Sequence, residues 1–207
     1  MDDSLMVQGD EYPEMTPLKI STEQLITLHG FFAEAAAVGE ASLAEITGCE
    51  TEIEVLEIRA TSLGDFADHG LRLSEDLVAG VIGRLEGGIP GSLNIVFEPE
   101  EALIWAKMGN AEKPLEAFVS LGSEFLEGLA VALTDILEPE TLFRDAELFE
   151  DSELAMFVKT HAPSDTLVLS LRLRILTRDD AVSAVSHLMI EPKYLAPLFS
   201  ALSAAVH

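Results

Sequence analysis

Ile95-Val96-Phe97-Glu98-Pro99 returns 93 residues later as Leu188-Met189-Ile190-Glu191-Pro192. Each copy is an apolar strand end, then a glutamate, then a proline suited to the first turn of a helix. Apolar residues agree by chance easily; a repeated strand-Glu-Pro-helix junction does not, so it marks a duplicated unit. Just upstream of the first copy, Leu77 to Leu85 and Ser92 to Phe97 flank Gly87-Gly88-Ile89-Pro90-Gly91, which reads as a hairpin. Strand candidates before the second junction are Thr166 to Thr177 and Ala181 to Ile190, with a further one around Leu154 to Lys159. Each junction opens a short helix, from Pro99 to about Gly109 and from Pro192 to about Ala205.

Further upstream in each copy lies a long helix. Ser21 or Thr22 caps the first, and Leu25, Leu28, Phe32, Ala35, Ala36, Gly39, Leu43 and Ile46 then recur at spacings of three and four. Gly48 ends it. Pro114 opens the second, with Leu115, Phe118, Phe125, Leu126, Leu129, Leu133 and Ile136 on its apolar side. At an offset of 90, Leu25, Leu28, Leu43 and Ile46 fall on Leu115, Phe118, Leu133 and Ile136, while Glu34 falls on Glu124. The strand Leu167 to Leu176 alternates, with Leu169, Leu171, Leu173 and Ile175 on one side and Ser170, Arg172 and Arg174 on the other. Strand material also lies at Glu52 to Ile58, where alternation starts and then blurs.

The fold class that follows is α+β. A single domain spans 21–206, made of halves 21–110 and 111–206, with residues 1–20 as an acidic tail. Helices 22–48 and 114–137 are expected side by side and antiparallel on one face of a mainly antiparallel sheet, related by a pseudo-twofold axis.

Composition narrows the function. The 207 residues carry 37 Asp and Glu against 12 Lys and Arg, a formal charge of −25. Nucleic-acid affinity comes from cations that neutralise phosphates, so this chain repels such partners, and anionic membranes likewise. Disorder is excluded by the 48% apolar content and a mean hydropathy of +0.28. Cys49 is the single cysteine, the start Met1-Asp2-Asp3-Ser4-Leu5 lacks a basic leader, and no run reaches the ~20 apolar residues of a span. The expected compartment is the cytoplasm.

No self-contained catalytic motif is visible. The five His lack metal-ligand spacing, and Asp65-Phe66-Ala67-Asp68-His69 reads more simply as a solvated loop than as a cation site. Glu50 and Glu52 discourage a thiolate at Cys49. Arg172 and Arg174, with Arg72 or Arg84, answer some of the negative charge; an anion or partner site is the minor alternative.

The duplicated layout resembles the CheC, CheX and FliY family of chemotaxis phosphatases. The resemblance spans roughly residues 21 to 205 and includes the helix ends Ala41-Ser42-Leu43-Ala44-Glu45-Ile46-Thr47-Gly48 and Val131-Ala132-Leu133-Thr134-Asp135-Ile136-Leu137. It implies a CheC-like fold and a phosphorylated CheY-type response regulator as partner, and it raises a CheD-like protein as a second one. No cofactor is implied for the chain itself, because the regulator holds the aspartyl-phosphate and the magnesium. The family pattern is an acidic or Ser residue, three spacers, Glu, two spacers and Asn on the exposed face of each long helix. The Glu pairs with a regulator lysine and the Asn orients the attacking water.

This sequence departs from that pattern in both copies. The second helix keeps Ser120 and Glu124 but has Glu127 where Asn belongs; the first keeps only Glu34. Aligned instead from Gly48, the family Glu and Asn fall on Gly30 and Ala33, which empties the first site, and on Ser120 and Ser123 in the second copy. The candidate site residues are thus Ser120, Glu124, Glu127 and Glu34, with Glu23, Thr27 and Glu116 expected on the same solvent side, facing a basic partner. Two readings stand on this resemblance: an active phosphatase, and a regulator-binding scaffold without the reaction. An unrelated third, an acidic secretion chaperone, fits the duplication poorly, because such chaperones pair identical protomers.

Overall fold

The computed structural model describes residues 20–73, 77–109, 112–137, 140–152, 155, 156, 160, 162–178 and 180–205. Nearly all of the 1–20 tail and most of the strand candidate at 154–159 lie outside these; Ala155 and Met156, which are described, are helical. The first long helix, α1 (Thr22–Thr47), begins in a reciprocal cap between Ser21 and Gln24 and stops at Gly48, whose φ of 68° closes a left-handed cap. It leads into β1 (Glu52–Ser62), the short α2 (Phe66–His69), and the hairpin of β2 (Leu77–Gly87) and β3 (Gly91–Phe97). After α3 (Pro99–Gly109) come α4 (Pro114–Ile136), β4 (Thr141–Ser152), β5 (Leu167–Leu176) and β6 (Ala181–Ile190). A 3-10 turn at Pro192–Tyr194 then feeds α5 (Leu195–Ala205).

The strands form one six-stranded sheet in the order β1-β5-β6-β3-β2-β4, and every pairing is antiparallel. Exchanging β1, β2 and β3 with β4, β5 and β6 leaves that order unchanged when it is read from the other end. Each half lends its first strand to the edge of the other half's hairpin, so the halves interlock. Both long helices share one apolar cluster with one sheet face. They run antiparallel: α1 ends where β1 begins at Glu52, α4 begins beside Leu77 and Leu148 at the same sheet end, and α4 finishes at the opposite end, near Thr141. Among the described helices, α4 alone has the length and apolarity of a membrane span, but 61% of that stretch is buried inside the molecule as core.

Three sequence expectations are corrected. The segment 63–70 is partly helical rather than loop, because Phe66 plugs the back of the sheet. Leu115 is exposed instead of facing the core, since the first turn of α4 lies over the ends of β2 and β4, where it lines an open groove. A whole strand, β4, has no counterpart in the sequence pattern, because a backbone irregularity breaks its alternation: Asp145 has φ 55° where the pairing slips opposite Ile82 and Arg84. The blurred alternation in β1 has the same kind of origin, a register shift between Val55 and Glu57 that leaves Leu56 outward.

Where α1 and α4 cross, their backbones touch. A Cβ on Gly128 would lie 3.0 Å from the Gly39 nitrogen and 3.1 Å from its Cα. Helical backbone cannot yield as a side-chain tip can, so Gly128→Ala is expected to cost about 2 kcal/mol despite alanine's better helix propensity. Gly30→Ala meets nothing within 4 Å and should instead stabilise the fold by about 0.5–1 kcal/mol. Urea midpoints of the two variants check the crossing; a Gly128→Ala protein as stable as Gly30→Ala would refute it.

On the far side of the sheet, Ser170, His187 and Asn94 lie side by side on β5, β6 and β3, all fully buried. Burial pushes the His187 imidazole down to about 4, against a smaller upward pull from the Leu71 carbonyl. The neutral ring donates through Nε2 to that carbonyl at 3.2 Å. Its Nδ1 lies 2.9 Å from the Asn94 Oδ1 and, with Nε2 donating, is an acceptor; turning the Asn94 amide end for end would face its NH2 to the ring and complete the pairing. The same turn would give a partner to the Asn94 amide nitrogen, which is buried without one.

Candidate functional site

Pro114 starts α4, and Lys113 folds back onto Glu116 at 2.7 Å, which fixes the first turn. From there, spacings of three and four carry Ser120, Ser123, Glu124 and Glu127 along the outer side. Ser120 and Glu124 line one open groove of about 560 Å³, together with Leu115, Glu116, Val119, Ser123 and, across it, Ala146 of β4. Ser120 is exposed and Glu124 half-buried. Glu127 is exposed one turn further on and does not line the groove. The sequence placed Ser120 and Glu124 together but gave no sign of the wall formed by Ala146.

The first helix presents much less chemistry. Gly30, Ala33, Glu34 and Ala37 are its exposed positions in that stretch, and only Glu34 carries a polar group. In either alignment with the family pattern, α1 offers no hydroxyl and no amide there. Glu34 sits on a different helix from Ser120 and Glu124 and is not part of their groove. Glu23 and Glu116 are exposed, while Thr27 is half-buried and donates its hydroxyl to the Glu23 carbonyl.

Other polar groups on α1 and the sheet are tied up in structural contacts. The His29 ring meets the Val55 carbonyl at 2.9 Å, and the Glu40 carboxylate accepts from the Ile53 N–H at 2.7 Å, so both tie α1 to β1. Arg172 pairs with Glu57 and Arg174 with Glu54 across β5 and β1, and Arg84 pairs with Glu86 and Asp145. Among the described residues, no group of three or more His, Cys, Asp or Glu converges as a metal site. Nor does any described cation pair with Glu34, Glu124 or Glu127. The outer face of α4 therefore offers hydroxyls and unneutralised carboxylates but no amide. It can receive a cationic side chain; it has no neutral donor beyond Ser120 and Ser123 for orienting a water.

No family model and no curated protein matches the chain. Solved structures do. FliY from Thermotoga maritima superposes with a TM-score of 0.70 at 12% identity, over 90% of this chain and 99% of that one. The FliM middle domain from H. pylori gives 0.60 at 14%, over 89% and 99%. The chemotaxis protein CheX from Desulfovibrio desulfuricans gives 0.50 at 11%, over 78% and 99%. At such identities the likeness is one of architecture, and that architecture is the interlocked sheet with two long helices described above. The chain has the CheC-like fold shared by FliY, the FliM middle domain and CheX.

Proposed function

We propose that this chain is a cytoplasmic chemotaxis-type signalling protein that binds a CheY-type response regulator along the outer face of α4. The observation that carries the reading is Ser120 and Glu124 in one open groove, on a fold like that of FliY and CheX. The reaction asks little of the protein, since the regulator holds the aspartyl-phosphate and its magnesium. What must be added is a carboxylate against a regulator lysine and a donor beside the attacking water. Glu124 supplies the first. At the second place Glu127 brings a carboxylate, which cannot donate as an amide does and which repels the phosphoryl oxygens. The wild type then binds the regulator well and accelerates its dephosphorylation weakly. Glu34 adds negative charge on α1.

A second reading, binding with no hydrolysis at all, is favoured by the lack of an amide on either outer helix face. Both readings require a basic surface on the partner. The double charge reversal Glu34→Lys with Glu124→Lys is expected to weaken regulator binding about tenfold and to flatten its dependence on salt. Titration of the phosphorylated and unphosphorylated regulators of the host at several salt concentrations measures this. Affinity unchanged for all of them would remove the regulator reading.

A further inference from the structure

Seven large aliphatic side chains are exposed among the described residues, and three of them converge on one groove: Leu77 at 58%, Leu103 at 61% and Leu115 at 60%. The groove, about 400 Å³, lies where α3 and the first turn of α4 meet the ends of β2 and β4, over a floor that includes Val78, Ala102 and Phe118. Trp105 stacks on Phe97 at 5.0 Å and meets the Phe118 carbonyl, so the helix pair behind the groove is fixed rather than collapsible. Such a cluster of exposed leucines costs solubility unless something uses it. The rim is acidic. Glu150 lines it, and exposed Glu98, Glu100 and Glu116 adjoin its lining residues, against Lys107 and a Lys113 already paired to Glu116.

We propose that this groove takes the apolar face of a basic amphipathic helix from another protein. A helix gathers side chains at i, i+3 or i+4, and i+7 on one face, which suits a single concave apolar patch, and lysines or arginines on its flanks would meet the rim carboxylates. The charge argues against the other occupants. A second copy brings another net −25 and the same acidic rim. Residues 1–19 of this chain hold five acidic side chains and a single lysine. Leu115 lines both this groove and the one holding Ser120 and Glu124, so the two surfaces are continuous and an occupied groove would border the candidate site. The inference stands without the regulator reading, because it uses neither Glu124 nor Ser120.

The test is calorimetric titration of the full chain with a helical peptide of about four turns, leucines on one face and lysines elsewhere. Two control peptides replace the lysines by glutamates, or the leucines by glutamines. The leucine-lysine peptide should bind, and both controls should bind at least about tenfold more weakly. Leu103→Glu, at an exposed position, should lower the affinity about tenfold or more while leaving the circular dichroism and melting temperature unchanged. Equal affinity for the glutamine control, or for Leu103→Glu, overturns the groove as the site. A wild-type dimer in sedimentation that Leu103→Glu makes monomeric assigns the groove to a second copy and overturns the proposal. A tenfold gain on removing residues 1–19 assigns it to the chain's own segment and does the same.

Discussion

Glu127→Asn is expected to speed the loss of aspartyl-phosphate from a bound response regulator by about a hundredfold over wild type. Two effects combine in that figure. The substitution removes a negative charge beside phosphoryl oxygens that grow more negative as the bond breaks. It also supplies an N–H that can hold the attacking water in line, completing a set whose other members, Ser120 and Glu124, already share one groove. Glu127 is exposed and in no ion pair among the described residues, so the change should leave the fold alone. Glu127→Ala separates the two effects, because it lifts the repulsion without adding a donor. Single-turnover decay of the phosphorylated regulator should rank Asn above Ala, and Ala at or above wild type. Glu124→Gln placed on top of Glu127→Asn should cancel most of the gain, since the lysine contact is then lost. An Asn variant slower than wild type would mean that residue 127 does not stand beside the water. Four proteins that all match the regulator's own decay, while binding it, would leave binding without hydrolysis.

What the sequence disclosed and what it hid follow from one distinction. Helix periodicity reports which residues share a face, so α1, α4 and the stripe from Ser120 to Glu127 were legible from spacing. The repeated Glu-Pro junctions located α3 and α5, because a proline at a helix start has a fixed backbone requirement. Strand alternation is more fragile: one inserted residue moves every later side chain to the other face. Asp145 does this in β4 and Leu56 does it in β1. Thr-Leu-Phe-Arg-Asp-Ala-Glu-Leu-Phe-Glu-Asp-Ser therefore shows no sustained alternation, although it is the edge strand that walls the Ser120 groove. Leu115 misled for a related reason. Its spacing puts it in line with the apolar side of α4, but a helical stripe says nothing about where the layer beneath it ends. The Leu77, Leu103 and Leu115 groove was invisible for the same cause, since its leucines come from three separate elements, β2, α3 and α4, that only the folded chain brings together.

Acid should destabilise this protein through one imidazole, and removing that imidazole should remove the effect. The unfolded chain takes up a proton on His187 as the pH falls through about 6.5, whereas the folded chain refuses it until about 4. Between those values the unfolded state holds more protons, so stability rises with pH across the window and is lost as the pH falls; it is fully present above 6.5. The gap corresponds to about 3 kcal/mol, a large fraction of an ordinary domain's stability. The charge balance of the chain pulls the other way. Protonating some of its 37 carboxylates relieves self-repulsion, so the raw acid profile mixes both contributions. His187→Gln separates them, because it leaves every carboxylate in place and keeps an amide N–H to stand in for the Nε2 donor to the Leu71 carbonyl. Urea unfolding of both proteins at pH 7 and pH 4 gives the comparison. At pH 7 the variant should be the less stable, having lost the packing of the ring against Phe66 at 5.4 Å. On going to pH 4, wild type should lose about 3 kcal/mol more than the variant, so that the two converge or cross. Parallel profiles would show that the ring already carries its proton in the folded state, donating through both nitrogens to the Leu71 carbonyl and to an Asn94 turned with its oxygen inward.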